Sequence, residues 1–553
     1  MRELPEKETL TVEFKSDIKR GTEGYSDDEL VDEIVGMANT AGGFLYLGVE
    51  DDGTVTGLIP KHKDAIGAAA MIANKTVPSL SVRTEVLEVA DKEILSIEVP
   101  ESRVIVASTS GKILRRKLKA DGTPENIPMY PYEITSRLSD LSLLDFSAQP
   151  MMDASIDDID PNQMVRLREA IQNNNGDRAL LELTDEEIEK ALHFVVEKDN
   201  KLVPTVTGVV VVGRESSIRK LMPTVRADFQ VLQGTEVMIN QSYTKPVAEM
   251  AELFEEYLKP WNPEQEMEYG LFRIPVPAFS PRAFREALMN AVAHRDYSMM
   301  GRIRVEISEE GMTISNPGGF IEGVNIDNLI SAEPHGRNQV LSDALKRIGL
   351  AEKTGRGIDR IYEGSIAYGR QWPDYTDSTS NRVILFIPRG KADIPFAKMI
   401  ADYQNLKGRP LSINYLLVLS ALKYEKRMDI QRIVEVTHIG RGKVLLILED
   451  LHEDGLVEEY GSGPSRTFTL GTQFYRQAGR EKEYVRQTGI DKIRFEEMIL
   501  KLAEAQDGTI TKADVVELLH LENHQAYSLI TKLVKDGKLK KITGGRYAKY
   551  RLQ

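Results

Sequence analysis

The sequence predicts a multidomain protein of the α+β class, and three observations support this prediction. The chain has 553 residues, which is too many for one hydrophobic core. Helical and strand patterns are interspersed over residues 1–390. Beyond them, a run of three helices and a hairpin is predicted twice. The expected domains are an N-terminal domain at 1–146, a connecting α+β module at 151–275, a third domain at 276–390 and two small domains at 408–475 and 488–553.

Composition and charge restrict the class of protein. Hydrophobic residues make up 41% of the chain and cysteine is absent, which excludes disulfides, zinc–thiolate sites and cysteine nucleophiles. The start of the chain lacks a secretory signal and no apolar run could span a bilayer. We therefore expect a cytoplasmic protein without membrane contacts. The net charge of −14 argues against indiscriminate nucleic-acid binding, but local basic clusters act within a Debye length of about 10 Å.

Hydrophobic patterning places the elements of the first two segments. Residues 28–40 are expected to form an amphipathic helix, and residues 50–58 a hairpin. Strands are expected at 44–49, 95–99 and 104–108, and residues 131–150 close the domain. In the connecting module we expect helices at 162–172 and 185–194 and a buried strand over the valine-rich segment 206–213. No chemistry is indicated there.

Three acidic residues stand out near the N-terminus. Glu8 and Glu13 lie in EKETLTVEFKSD, and Asp51 lies in NTAGGFLYLGVEDDGTVTGL. Three carboxylates can hold one or two Mg²⁺ or Mn²⁺ ions, which can clamp a phosphodiester for hydrolysis. Lys15 could then contact a phosphate. A plainer interpretation is equally open: GVEDDG is a favourable hairpin turn, and Glu8 could be a solvated residue.

These two motifs closely resemble the Alba-like domain of Schlafen proteins. In Schlafens with nuclease activity, that domain carries three acidic residues, and the matching positions here are Glu8, Glu13 and Asp51. The resemblance implies a nucleic-acid-binding domain. It leaves open whether a divalent-metal nuclease works there.

A second chemical constellation lies in the third domain. Read as a helix, residues 284–297 place Glu286, Asn290 and His294 on one face. The carboxylate could orient water and the amide oxygen could ligate Mg²⁺. Two glycine motifs follow, NPGG at 316–319 and TGRG at 354–357, where the backbone can approach phosphates closely.

This order of motifs resembles the GHKL ATPases, such as gyrase B, MutL and the histidine kinases, and implies an α/β sandwich that binds ATP. Glu286 matches the water-activating carboxylate and Asn290 the Mg²⁺ ligand, while Gly355 and Gly357 match the second glycine box. Where that family has D-x-G-x-G, this chain has the motif Ser315, Asn316, Pro317, Gly318 and Gly319, so the adenine-binding aspartate is missing.

Other residues of this domain are candidates for contact with the nucleotide. His294 and Asn338 belong to the candidate site, and Arg337 could bind a phosphate through two nitrogens. For His294, together with Arg295 and Asp296, a salt-bridged cluster at the helix end is an open alternative, and for Arg337 and Asn338 the alternative is a capped helix start. The segment 334–361 resembles the ATPase-like domain of bacterial "predicted transcriptional regulators", often described as RecG-like helicases. No Walker A motif occurs, so no helicase motor is expected.

The two C-terminal domains have the plan of the winged helix-turn-helix: three helices and a β-wing. The second is basic, and DNA binding is favoured there over protein docking. The residues expected to contact nucleic acid are Lys15, Arg115 and Arg116 in the N-terminal domain and Lys532, Lys535, Lys540, Lys541 and Arg546 in the second winged helix.

Together these features favour a bacterial ATP-binding, nucleic-acid-directed regulator or phage-defence protein. Its expected cofactors are ATP and Mg²⁺ or Mn²⁺, its partner is DNA or RNA, and analogy with GHKL proteins suggests a homo-oligomer. A metal-dependent nuclease in the N-terminal domain and a weak ATPase in the third are possible activities. The alternative is a non-catalytic, ATP-responsive DNA-binding transcriptional regulator.

Overall fold

The structure is a computed structural model, which describes residues 4–18, 24–119, 121–141, 143–269, 272–321, 323–333, 335–461, 466–471, 474, 495–496, 499–500, 502–503, 508–519, 523–542 and 548–552. The chain packs into two compact units. The first comprises Met1–Trp261, Phe284–Ile358 and Asp374–Phe386, and the second comprises Asn262–Ala283, Asp359–Pro373 and Ile387–Gln553. Among the helices described, none has both the length and the apolar composition needed to cross a bilayer.

The first unit begins with a four-stranded sheet, flanked by helices and two short β-ribbons. Its elements are β1 (Val12–Lys15), α1 (Asp27–Ala38), β2 (Gly43–Leu47), α2 (Ala65–Asn74), β3 (Thr76–Val77), β4 (Arg83–Val89), β5 (Lys92–Val99), β6 (Ala107–Ser108), β7 (Leu114–Leu118), β8 (Pro124–Pro128) and α3 (Pro131–Asp140). The sheet has the order β1-β2-β5-β4, with β1 parallel to β2 and the other neighbours antiparallel. The ribbons pair β3 with β6 and β7 with β8.

Helix α1 forms where the sequence predicts it, because its apolar residues share one face. Leu30, Ile34 and Met37 are fully buried in the core against β2 and β5. Three acidic residues occupy its first turn, where they interact favourably with the helix dipole.

The remainder of the first unit is built around a five-stranded sheet. The elements that follow α3 are α4 (Pro161–Asn173), α5 (Asp185–Ala191), β9 (Val195–Lys198), β10 (Lys201–Pro204), α6 (Val206–Val212), α7 (Glu215–Leu221), β11 (Ala227–Gln233), β12 (Glu236–Tyr243), α8 (Val247–Leu258), β13 (Glu264–Tyr269), β14 (Phe272–Pro277), α9 (Pro281–Ala293), β15 (Ile303–Ile307), β16 (Gly311–Pro317), α10 (Gln339–Ile348), α11 (Gly357–Ile366) and β17 (Arg382–Pro388). Of these, β13, β14 and most of α11 belong to the second unit.

This sheet crosses the boundary that the sequence places near residue 275. Its order is β12-β11-β15-β16-β17, and β11 is parallel to β15, with Ala227 opposite Ile303. Strands β11 and β12 come from the segment expected to be a connecting module. Because they complete the sheet of the next segment, residues 227–243 and 303–317 share one sheet rather than lying in separate domains.

The strand predicted over residues 206–213 is wrong: Val206–Val212 is helix α6. All seven of its residues are buried, so the sequence carries no helical periodicity to distinguish a helix from a buried strand. Thr205 caps the helix by accepting a hydrogen bond from the Gly208 N–H at 3.1 Å. Burial on every side therefore outweighs the β-propensity of valine.

The second unit contains the β13–β14 hairpin and two similar C-terminal sets of elements. These are α12 (Ile394–Lys407), α13 (Ile413–Glu425), β18 (Met428–Asp429), α14 (Ile430–Thr437), α15 (Arg441–Glu453), β19 (Val457–Tyr460), β20 (Thr467–Leu470), β21 (Thr509–Thr511), α16 (Lys512–Leu519), α17 (Asn523–Lys535), β22 (Leu539–Lys541) and β23 (Lys549–Leu552). The sheet orders are β18-β20-β19 and β21-β23-β22. The described elements follow the predicted order, and the winged-helix assignment stays a prediction.

The close approach of β2 to the preceding chain gives a testable consequence. Gly43 has φ +125°, and a Cβ there would lie 2.0 Å from the Thr11 carbonyl oxygen, whereas Gly53 has φ +83° and open space around it. We expect Gly43→Ala to destabilise the N-terminal domain by about 3 kcal/mol or more, and the control Gly53→Ala by about 1–2 kcal/mol. Hydrogen–deuterium exchange of the β1 and β2 amides measures both. Equal loss of protection in the two variants would show that the contact is unimportant.

Candidate functional site

The acid Glu13 lies inside the N-terminal domain, where two cations surround it. It is 4% exposed. One carboxylate oxygen is paired with the Lys15 ammonium and the other with the Arg116 guanidinium of β7. Arg116 also donates to the backbone carbonyls of Thr9 and Val12, at 3.1 Å each. Both oxygens of Glu13 therefore act as counter-ions that hold β1 against β7.

The other two acids of the predicted metal site differ in environment. Glu8 accepts a hydrogen bond from the Phe14 N–H at 3.1 Å. Burial, followed by the negative charges of Glu13 and Asp51, raises the pKa of Glu8. The three carboxylates thus lie near enough to interact, but Asp51 is exposed on a turn. Within the described part of the chain, no group of three His, Asp or Glu residues is arranged to hold a metal ion.

The three basic residues predicted to contact nucleic acid here are also engaged within the domain. Lys15 lies 3.5 Å from the Glu33 carboxylate in addition to its contact with Glu13. Arg116 is buried, so its position does not support a contact with nucleic acid. Arg115 is partly exposed and pairs with Glu133, at the start of α3.

Helix α9 presents the predicted Glu286 and Asn290, and His294 follows its last residue. Glu286 is buried, and its carboxylate accepts a hydrogen bond from the Glu352 N–H at 3.1 Å. A Cβ at Gly357 would lie 2.0 Å from the other Glu286 oxygen, so the second glycine motif packs directly on this carboxylate. The Asn290 side chain is partly exposed, and no described residue hydrogen bonds to its amide.

The environment of His294 keeps its imidazole neutral. Its removal from water, followed by the positive charges of Arg337, Lys346 and His335, lowers the pKa of His294 to about 4. The backbone N–H of His294 continues the helical pattern by donating to the Asn290 carbonyl at 2.9 Å. At neutral pH, His294 can therefore exchange hydrogen bonds with a ligand but supplies no positive charge.

The NPGG motif forms a tight turn at the end of β16. Ser315 and Asn316 are buried, and the Ser315 hydroxyl accepts a hydrogen bond from Arg382 at 2.8 Å. Gly318 has φ +94°, and a Cβ there would lie 2.1 Å from an Arg337 nitrogen. A Cβ at Gly319 would lie 2.4 Å from the Ser380 carbonyl oxygen. The glycines are therefore required by protein atoms.

Arg337 joins this turn to two helices. Its Nε lies 2.8 Å from the Asp140 carboxylate at the end of α3, its Nη1 3.0 Å from the His294 carbonyl and its Nη2 3.4 Å from the Gly319 carbonyl. The side chain is buried. The predicted contact with a phosphate is therefore not supported, since protein acceptors already occupy the guanidinium.

Asn338 has a comparable role beside it. Its Nδ2 donates to the carbonyls of Ala293 at 2.9 Å and Arg295 at 2.7 Å, which closes the end of α9. Its buried Oδ1 has no hydrogen-bond partner among the described residues. The expected alternative is a cap at the start of α10, but the Asn338 side chain makes no capping hydrogen bond there and instead bonds to the carbonyls at the end of α9.

Two residues of helix α3 that reach this site were not predicted from the sequence. Besides Asp140, the Ser136 hydroxyl donates a hydrogen bond to the Asp296 carboxylate, which follows α9. Neither residue belongs to a recognisable motif, and both lie more than a hundred residues from their partners in sequence. Only the tertiary structure brings them together.

The residues fit ATP in part. Asn290 offers an amide that neither accepts nor donates a hydrogen bond among the described residues, and Gly355 has φ +74° in an exposed turn. These features suit a Mg²⁺-bound triphosphate. The Ser315 hydroxyl, expected to replace the missing aspartate in bonding to adenine, is bonded to Arg382, and Arg337, expected to bind a phosphate, is bonded to Asp140.

The basic residues of the second C-terminal domain lie mostly at the surface. Lys535, Lys540 and Lys541 are exposed. Lys532 is paired with Glu496 at 2.6 Å. The predicted contact residue Arg546 lies outside the described residues.

Three family models match the chain. Residues 8–121 match the model described as "Schlafen, AlbA_2", residues 301–386 match "Putative ATP-dependent DNA helicase recG C-terminal", and residues 136–228 match a domain of unknown function, DUF8451. The search of curated proteins found no match.

Solved structures resemble the chain as well. The DIP2311 protein from Corynebacterium diphtheriae is 21% identical, with a TM-score of 0.50 over 98% of this chain and 95% of that one, which shows a similar fold. The N-terminal domain of a putative ATP-dependent DNA helicase RecG-related protein from Nitrosomonas europaea is 24% identical over 17% of this chain and 65% of that one, with a TM-score of 0.14. Residues 8–121 are thus similar to the Schlafen AlbA_2 domain, and residues 301–386 are similar to the C-terminal domain of putative RecG ATP-dependent DNA helicases.

Proposed function

We propose that this protein is a nucleic-acid-directed regulator that responds to ATP without cleaving its nucleic acid. The observation that supports this most directly is the junction at α3. Asp140 and Ser136 on this helix bind Arg337 and Asp296, which flank the NPGG turn. A nucleotide bound at the NPGG turn would therefore change the contacts that Arg337 and Asp296 make with α3.

The same helix also contacts the AlbA_2 domain. Glu133, in its first turn, pairs with Arg115 of β7, and Arg137 lies 3.4 Å from the Glu101 carboxylate. Helix α3, with ten residues, therefore contacts both the residues around the NPGG turn and the AlbA_2-like N-terminal domain. Coupling between sites needs such an element whose position both sites influence.

ATP binding, rather than hydrolysis, is central to the proposal. Asn290 would ligate Mg²⁺, and the turns with Gly318 and Gly355 would approach the phosphates. Bound Mg²⁺ would neutralise the phosphate charge. Glu286 is buried and already accepts the Glu352 N–H, which leaves its carboxylate poorly placed to activate water. DNA binding by the exposed lysines of the second winged helix would provide the output.

A metal-dependent nuclease is the second candidate, because the charges of Glu13 and Asp51 reach Glu8. Its weakness is the pairing of Glu13 with Lys15 and Arg116, which a metal ion would have to displace. Moving Glu13 onto a metal ion would deprive the buried Arg116 of its carboxylate partner, and this is costly. We therefore favour the non-catalytic function.

Nucleotide binding can be tested through thermal stability. A ligand present at about 100 times its Kd stabilises the native state by about 2.7 kcal/mol, so Mg²⁺-ATP should raise the melting temperature by several degrees. Asn290→Ala should melt as the wild type does without ligand and lose most of the Mg²⁺-dependent increase. Asn162→Ala, on the exposed surface of α4, serves as the control. No increase in the wild-type protein would contradict the proposal.

Coupling through α3 can be tested by hydrogen–deuterium exchange. Mg²⁺-ATP should change the exchange of residues 131–140 in the wild type, and Asp140→Asn should abolish that change. This substitution breaks a largely buried ion pair and should cost on the order of 2–3 kcal/mol. Asp185→Asn, which opens the exposed pair with Arg168, is the control. An unaltered response in Asp140→Asn would refute the role of α3.

The nuclease alternative makes an opposite prediction for cleavage. We expect labelled tRNA, single-stranded RNA and DNA to remain intact with the protein in Mn²⁺, as in EDTA. The informative variant is Asp51→Asn, since this exposed residue can change without disturbing the core. Cleavage that requires Mn²⁺ and disappears in Asp51→Asn would establish the nuclease instead.

A further inference from the structure

Two tyrosines at the start of α3 form an exposed aromatic pair. Tyr130 and Tyr132 flank Pro131 and are 54% and 51% exposed. Their ring centroids lie 6.2 Å apart and their planes differ by 9°. Both residues fall between the segments that the family models match, which end at residue 121 and resume at 136. Exposed rings bury little apolar surface, so the stability of the fold does not explain this arrangement.

The tyrosine pair is held in place by Glu133. This carboxylate accepts a hydrogen bond from the Tyr130 N–H at 2.9 Å and pairs with Arg115. Burial opposes its ionisation, but hydrogen bonds from Arg115, the Tyr130 backbone and the Tyr132 hydroxyl together lower the pKa of Glu133. Pro131 also restricts the backbone between the rings. A ligand would therefore meet rings that are already oriented.

The outward face of the β7–β8 ribbon continues from this pair as a row of basic side chains. Opposite residues in the ribbon are Arg115 and Ile127, Arg116 and Asn126, and Lys117 and Glu125. Since side chains alternate between faces, the burial of Arg116 directs Arg115, Lys117 and Lys119 outwards. Lys117 and Lys119 are exposed.

These cations remain available to a charged ligand. The contact between Lys117 and Glu125, at 3.1 Å, is an exposed ion pair of the kind that contributes little and exchanges readily. Lys119, at the end of the ribbon, forms no ion pair with a described residue. Basic residues spaced about 7 Å apart along one strand face can follow an extended phosphate backbone.

We propose that Tyr130 and Tyr132 stack on the bases of single-stranded nucleic acid, while Lys117 and Lys119 contact its phosphates. Stacking on aromatic rings beside a basic groove is the usual means of binding single strands without sequence preference. Duplex bases already stack on each other and offer no free face to the rings. The inference rests on the proposed function, in that nucleic acid is the ligand, and adds its strandedness and its contact residues.

The test measures binding by the full-length protein. Fluorescence anisotropy would be followed with labelled single-stranded RNA, single-stranded DNA and the matching DNA duplex. Replacing both rings (Tyr130→Ala with Tyr132→Ala) should weaken single-strand binding by about tenfold or more, because each stacked base contributes measurably. Tyr130→Phe with Tyr132→Phe keeps the rings and should stay within about twofold of wild type. The melting temperature of each variant checks its fold.

The basic row is tested separately. Lys117→Glu with Lys119→Glu should weaken single-strand binding and lower its dependence on salt, since phosphate contacts release counterions. Lys198→Glu with Lys201→Glu, an exposed pair opposite each other in the β9–β10 hairpin, makes the same change of charge and should leave single-strand binding unchanged. Oligonucleotides that carry photoreactive uridine should crosslink within residues 130–132.

The possible outcomes distinguish a failure of the single-strand inference from a failure of the proposed function. If the wild type binds no nucleic acid, both fail. If it binds single strands and the double alanine variant binds them equally well, the tyrosine platform is refuted and the proposed function stands. Equal losses on single strands and duplex would refute the single-strand assignment. An equal loss in Lys198→Glu with Lys201→Glu would show that Lys117 and Lys119 act through net charge alone and would refute their contact with phosphates.

Discussion

The buried guanidinium of Arg337 is the interaction on which the centre of the first unit depends. A planar group with five N–H donors can satisfy several acceptors at fixed angles, which lysine cannot do. Here it joins the Asp140 carboxylate, the carbonyl that ends α9 and the carbonyl of Gly319. Burial raises the pKa of Asp140 even though Arg337 opposes that change. The pair is therefore held by geometry as well as by charge.

A similar arrangement organises the AlbA_2 domain. Arg116 is buried against Glu13, which also binds Lys15. Isolated charges are unfavourable in a protein interior, so each cation requires a nearby carboxylate and further hydrogen bonds. Glu13 and Arg337 both lie in motifs that suggest chemistry, and in both the polar atoms are used to hold the fold together. A motif of reactive residues thus gives no measure of how many of its atoms remain free.

The groups left available lie elsewhere. The Asn290 amide is partly exposed, Lys535, Lys540 and Lys541 of the second C-terminal domain are exposed, and Tyr130 and Tyr132 lie exposed at the start of α3. Helix α3 is the element common to the aromatic pair and the Arg337 contact. Through it, a strand bound at the tyrosines and a nucleotide bound near the NPGG turn would influence each other's affinity, because linkage is reciprocal.

Local patterns in the sequence were enough to predict many of the helices and strands and the two families that parts of the chain resemble. The periodicity of residues 28–40 predicted α1, and the motifs around Glu13, Asp51 and the two glycine turns predicted families whose models match the chain. Tertiary structure decided what depends on distant contacts. It made residues 206–212 a helix because burial on all sides overrides valine's preference, and it drew β11 and β12 into the sheet of the next segment. It also decided which polar atoms are free, since Asp140 is 197 residues from Arg337 and Arg116 is 103 from Glu13 in sequence. No local pattern records pairings of that length, because they form only when separate elements pack together.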